Sequence, residues 1–227
     1  MNYGLYLSAA GALSSMHRQA VLSNNLANMT TAAFKPDVVD MRQRLPERLE
    51  NPNGFIEPRL MLERLGGGLF VEPTRVDLSQ GNLEPSGNDL DVAFDGDGMF
   101  VVGDGRGTGP ANERLTRDGR FSLNADGDLV TAAGGLPVLD ANGGTISLTP
   151  GRPVAIDPFG QVTQDDRVAG QLKLVAAPPS RSLVKAGGNL FRLANNTRIP
   201  TQTPDGRLIQ GHVEASGVDP ITTIRSQ

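Results

Sequence analysis

"SNNLANMTTAAFKPD", Ser23–Asp37, is the stretch on which the fold turns. Asn24, Asn25 and Asn28 are followed by Thr30 and Thr31, all set beside Leu26, Ala27, Met29 and Phe34. It holds no nucleophile, no metal-ligand set and no phosphate loop. Asparagine tolerates the left-handed conformation and closes helices without glycine. Threonines then favour extended chain, and Pro36 stops a helix from restarting. The stretch therefore reads as an elbow: a helix exit that turns the chain sharply, with Phe34 as the anchor that pins it to an apolar surface.

Upstream, residues 3–28 read as a helix. Tyr6, Ala9, Leu13, Met16, Ala20 and Ala27 follow spacings of three and four, with Ser23 filling the gap, which is the seam of a coiled coil or of a helix packed on helices. At 1.5 Å per residue such a helix is about 39 Å long. No second strong helical pattern follows before Gln227, so the seam is expected to find its mates on other chains.

Downstream, residues 36–84 are mixed, with short helical pieces expected around 38–49 and 59–65 and strands near 69–78. From Leu90 to about Leu193 the pattern is β: "DLDVAF", "GMFVVGD", "RLTRDGRFSLNADGDLVTAAGGLPVLD" and "TISLTP" alternate apolar and polar positions between Gly and Asp turns. "NADGD" is a hairpin turn, and "GDGRGTG" (103–109) a hairpin tip. The last stretch begins extended, and a helix is expected to start after Pro220.

The fold class expected is thus mainly β with a long N-terminal α-helix. An elongated, hairpin-rich outer domain (85–207) is joined to the axial helix and elbow (1–34) by an extended linker (35–84), and a return strand and the start of a helix fill 208–227. Composition agrees. Of 227 residues, 38% are hydrophobic and 4% aromatic, with no Trp. That is low for one well-packed globule and points to an elongated shape or to a surface buried only against other copies. The 28 Gly and 16 Pro favour many turns and short strands.

Several function classes lose support. A net charge of −4 without a long basic run argues against binding a phosphate backbone. With no Cys and two His, disulfide, thiolate and zinc chemistry find no ligands. "NADGDL" begins like a calcium loop, but Leu129 stands where the turn needs Gly and no Glu follows at the twelfth position. His17 and His212 sit far apart in the sequence, and paired carboxylates such as Asp89/Asp91 and Asp165/Asp166 read as turn residues. No catalytic cluster and no cofactor site is expected. "MNYGLYLSAAGALSSMHRQ" lacks the basic start and continuous apolar run of a signal peptide, which suggests export, if any, without a cleaved leader.

The elbow resembles the N-terminal signature of the flagellar axial proteins, N-L-A-N-x-x-T-x-G-F-K. The match falls on Asn25, Leu26, Ala27, Asn28, Thr31, Phe34 and Lys35, with Ala33 at the usual glycine. Further stretches agree in order. "SGNDLDVAFDGDGMFVV" (86–102) and "LTRDGRFSLNADGDLVTAAGGLPVL" (115–139) resemble the core segment of rod and hook proteins. "GGNLFRL" (187–193) resembles the next marker. "LIQGHVEASGVDP" (208–220) resembles the motif before the C-terminal helix, with Gly217 where Asn is usual and seven residues after Pro220 where the family has a long helix. Length and the absence of large insertions resemble the rod proteins, with features of both the proximal and the distal rod types.

The resemblance implies a structural subunit of the flagellar basal-body rod in the cell envelope. Its helices would pair in the core of a helical assembly. Its partners would be copies of itself, other rod and hook proteins, the flagellar export apparatus and the surrounding ring proteins, with no nucleic acid and no small-molecule substrate. The competing reading is a β-rich extracellular module that binds carbohydrate or calcium and carries a helical tether.

Overall fold

The computed structural model describes residues 3–43, 69–107, 109–194, 199–200 and 202–219. They form one helix and eighteen short strands. The chain divides into two compact units, 1–27 with 37–75, and 28–36 with 76–227.

The first unit holds α1 (Tyr3–Ala27), β1 (Asp37–Val38), β2 (Met41–Gln43), β3 (Leu69–Val71) and the start of β4 (Arg75–Val76). β2 and β3 pair antiparallel, with Met41 opposite Val71 and Gln43 opposite Leu69. The helix expected over 3–28 is present. The piece expected over 38–49 is not helical where it is described: Val38 ends β1, Val39 and Asp40 link the strands, and Met41–Gln43 form β2; β-branched Val38 and Val39 favour such extended chain. Residues 44–49 and 59–65, and the helix expected after Pro220, lie outside the described residues.

The second unit is entirely β apart from two short 3₁₀ turns, among the described residues. Its strands are β5 (Leu83–Pro85), β6 (Val92–Gly96), β7 (Gly98–Gly103), β8 (Glu113–Thr116), β9 (Phe121–Leu123), β10 (Leu129–Thr131), β11 (Val154–Ile156), β12 (Gln161–Gln164), β13 (Arg167–Gln171), β14 (Leu174–Ala176), β15 (Leu183–Gly187), β16 (Leu190–Leu193), β17 (Gly206–Gln210) and β18 (His212–Glu214). Five form an antiparallel sheet in the order β14-β7-β8-β16-β15.

β7, "GMFVVG", is buried throughout, and the period-2 alternation of a strand explains why. Phe100 and Val102 enter one core with Val92, Phe94, Phe121 and Leu129. Met99 and Val101 enter a second core with Leu115, Val175, Phe191 and Leu193. A strand covered on both faces carries no polar position to expose. In the first core Phe100 stands edge-on to Phe94 and to Phe121, at centroid distances of 6.5 and 5.3 Å, the geometry that aromatic quadrupoles favour.

Both expected hairpins form. β9 and β10 pair with Leu123 opposite Leu129, and the Asn124 side chain accepts the N–H groups of Asp126 and Asp128 to hold the "NADGD" turn. The glycine-rich 103–109 segment lies between β7 and β8, which pair antiparallel.

The C-terminal ribbon is stitched back onto an early segment. β17 pairs with β6, Leu208 opposite Phe94. β18 pairs with β5, Glu214 opposite Leu83. Gly211 joins the two ladders, donating its N–H to Asp91 O and accepting from Ser86 N. This return run places residues 212–218 where the elbow arrives.

Candidate functional site

The site is built around the elbow, Asn28–Pro36. Two local turns shape it: Thr31 N–H donates to Asn28 O at 3.1 Å, and Phe34 N–H to Thr31 O at 3.2 Å. Asn28 Oδ1 also accepts from Thr31 Oγ1. The sharp change of direction falls on Ala33, at φ 55. That corrects the expectation that asparagines close the helix in the left-handed conformation: among the described residues, none of Asn24, Asn25 and Asn28 has a positive φ. Asn25 is still inside α1 and is buried. Its side-chain amide pairs both ways with one residue, Nδ2 donating to Asp37 O at 2.8 Å and Oδ1 accepting from Asp37 N at 3.0 Å. A side-chain amide has the same donor–acceptor pair as a peptide group, so Asn25 acts as one extra strand residue beside β1.

The markers that stand apart in the sequence converge on this turn. Ala33 N–H donates to Glu214 O at 2.7 Å, and Gly217 N–H to Phe34 O at 2.9 Å. Asn189, at the tip of the β15–β16 hairpin in "GGNLF", donates from Nδ2 to Ala32 O at 2.9 Å. Asp77 N–H donates to Pro36 O. The Phe34 ring is buried, with Lys185 Nζ 4.4 Å from its centroid, within range of a cation–π attraction.

Lys35 occupies an unusual place for a lysine. A lysine beside a proline at a turn usually points to water. Here its side chain is 1% exposed, and so is that of Glu214. Lys35 Nζ donates to Glu214 Oε1 at 2.6 Å and to Ser79 O at 2.6 Å. Glu214 Oε1 also accepts from Gly81 N at 2.8 Å. Its Oε2 accepts from Arg117 Nε at 3.0 Å. Arg117 Nη1 donates to Gly96 O at 2.8 Å and to Gly98 O, and its Cζ lies 5.7 Å from the Phe94 centroid. The backbone must come very near at Gly81: a Cβ there would sit 2.4 Å from Ala215 O.

Two cations thus share one carboxylate. Burial disfavours the charged ammonium and holds the Lys35 amine below the ordinary lysine value, with Arg117 adding to the effect; Glu214 and Asp77 work against it. Among the described residues no buried side-chain nitrogen or oxygen lacks a hydrogen-bond partner. Every polar group in the cluster is engaged with the protein itself, which is the arrangement of a joint.

The expected seam lies elsewhere. Tyr6 belongs to α1. Ala9, Leu13, Met16, Ala20 and Ala27 are exposed, Leu13 and Met16 at 66% each. The covered side of the helix is a neighbouring stripe with its own three–four spacing: Leu7, Gly11, Ser14, Val21 and Asn25 are half-buried or buried. Leu26 is exposed at 40%. Of the signature residues, the turn around Phe34 therefore gathers Asn28, Thr31, Phe34 and Lys35, while Asn25 works at Asp37. Arg117, Asn189 and Glu214 were not foreseen as partners of the elbow. The one sequence signal was an acidic residue in an otherwise strand-like "GHVEASG".

What fold and site define is a helix-plus-β protein whose early and late segments meet in a single buried joint. Comparison with known proteins gives this class its family. Residues 93–164 match the family described as flagellar hook protein FlgE/F/G D1 domain. The chain is 34% identical over 227 residues to the flagellar basal-body rod protein FlgF of Caulobacter vibrioides, covering 99% of this chain and 86% of that one. It is 31% identical over 232 residues to the flagellar basal-body rod protein FlgG of Bacillus subtilis, covering 95% and 84%. It is 28% identical over 222 residues to the FlgF protein of Mesorhizobium japonicum, covering 97% and 84%. The chain belongs to the family of flagellar basal-body rod proteins.

Proposed function

We propose that this chain is a structural subunit of the bacterial flagellar basal-body rod, assembling with copies of itself and with other rod and hook proteins into the shaft that carries torque from motor to hook. Family membership supports the rod role. The observation that carries the assembly surface is the open stripe on α1: Leu13 and Met16 are two-thirds exposed on a 25-residue helix. Single exposed apolar residues are ordinary, but a spaced row of them on one long helix is a surface for other helices.

In this reading Tyr6, Ala9, Leu13, Met16, Ala20 and Ala27 face neighbouring subunits. The small residues among them let helix axes approach closely. The β-rich unit is the outer part. The elbow motif, Asn25 to Lys35, is the link through which load on the helix reaches that unit, and its task is geometric, with no catalytic group. Subunits related by a non-closing operation build a filament of this kind. The chain would reach the cell envelope through the flagellar export apparatus and would pass the surrounding ring proteins.

The test is mass spectrometry of hook–basal bodies purified from the source cell. Several copies of this chain per particle are expected. Its absence from particles that retain their rods would overturn the reading.

A further inference from the structure

We propose that the elbow is a latch: Asn28–Pro36 closes on a socket that is complete without it, and opens and recloses as one piece while the β-rich unit stays folded. The inference does not rest on the assembly reading.

The bonding is asymmetric. Remove the elbow, and Glu214 keeps its place. The β18–β5 ladder holds its backbone opposite Leu83. Gly81 N and Arg117 Nε still donate to its two oxygens. Arg117 still has the carbonyls of Gly96 and Gly98. One buried cation then faces one buried carboxylate, a balanced pair.

Remove the socket, and the elbow keeps its two local turns and the Thr31–Asn28 side-chain bond. Ala33 N, Phe34 O and Ala32 O lose their partners at Glu214, Gly217 and Asn189. Lys35 loses its countercharge, and an unpaired ammonium cannot stay buried. The elbow is therefore held almost wholly by others, through four kinds of contact that must form together.

Opening is also cheap relative to unfolding. The elbow contributes two buried apolar side chains, Ala33 and Phe34, whereas each β core holds ten or more. Release lets Ala33 leave the left-handed region and returns Lys35 to water, away from Arg117. Segments with few buried contacts and borrowed hydrogen bonds open below the global unfolding free energy.

Amide hydrogen exchange on the full chain under native conditions tests this. The reporters are Ala33 N–H, bonded to Glu214 O, and Gly217 N–H, bonded to Phe34 O. The core references are Leu129 N–H, bonded to Ile146 O, and Val101 N–H, bonded to Lys173 O. Ala33 and Gly217 are expected to exchange together, roughly 100-fold faster than Leu129 and Val101. Lys35→Ala and Phe34→Ala, which alter the latch and leave the socket pair intact, should each speed both reporters together by a further 10- to 100-fold, roughly, whereas Val162→Ala, which weakens the β core and not the latch, should speed Leu129 and Val101 and leave Ala33 and Gly217 within about 3-fold of the parent. The proposal is overturned if the reporters exchange in step with the core in the parent chain, if they respond separately to Lys35→Ala or Phe34→Ala, or if Val162→Ala speeds them as much as it speeds Leu129 and Val101.

Discussion

Lys35 Nζ sits 2.6 Å from Glu214 Oε1, both side chains sealed from solvent, although the two residues are 179 positions apart in the chain. The early signature and the late one are therefore two halves of one joint. Breaking it from either side should not cost the same. Glu214→Gln leaves Lys35 and Arg117 as two buried cations without a carboxylate. Lys35→Met leaves the Arg117–Glu214 pair balanced and replaces the lysine stem with an apolar one. Denaturant unfolding is expected to show a loss of about 3–5 kcal/mol for Glu214→Gln and of about 1 kcal/mol or less for Lys35→Met. Equal losses would mean that the carboxylate is not the centre of the cluster.

Ala33 holds φ 55 and is almost fully buried. A β-branched side chain is strongly disfavoured at positive φ. Ala33→Val should therefore lower stability by about 2 kcal/mol or more. Ala33→Gly gains conformational tolerance and loses one buried methyl, so its thermal midpoint should stay close to that of the parent. A Val variant as stable as the parent would show that the elbow does not need the left-handed turn.

Asn25 tests the first unit separately. Asn25→Asp keeps the acceptor for Asp37 N but sets a carboxylate against Asp37 O, where an amide now donates. Asn25→Leu removes both bonds. Each should cost about 1–3 kcal/mol, since a buried backbone group is left without its partner. Exchange at the Asp37 amide should accelerate, with the Leu129 amide unaffected. Protection at Asp37 that survives both changes would assign Asn25 a packing role only.

The lowered Lys35 amine also gives stability a pH dependence. Its folded value lies below the ordinary 10.5, so between those two values the folded state binds fewer protons than the unfolded one. Stability contributed by this group then rises with pH through that window and levels off above 10.5. The charged groups facing Lys35 are Glu214, Arg117 and Asp77. The stability difference between parent and Lys35→Met, followed from neutral pH upward, should shift in favour of the parent. A shift the other way would mean that Glu214 outweighs burial.

Local features of this fold were legible in the sequence because they have local causes. The three–four spacing of α1, the alternation of "DLDVAF" and "GMFVV", and the Asn–Asp–Gly chemistry of the 124–128 turn each act within a few residues. The joint was not legible, because its causes lie across the chain. A lone Glu214 in a half-polar strand reads as a solvent-facing residue until Arg117 and Lys35 are placed around it. Asn25 read as a helix terminator because asparagine's local preference is for caps, but its amide is used by Asp37, twelve residues on. Alanine at 33 does not by itself announce a left-handed turn, as glycine would; the hint lay in the resemblance, whose signature has glycine at that position.

Incorporation of a charged stripe variant tests the central claim most directly. Leu13→Asp with Met16→Asp, expressed in the source cell in place of the parent chain, should leave the exchange protection of Val101 and Leu129 intact while the chain disappears from purified hook–basal bodies and motility is lost. Normal incorporation of that variant into working rods would contradict the account, because the open stripe of α1 would then not be the surface on which the subunits assemble.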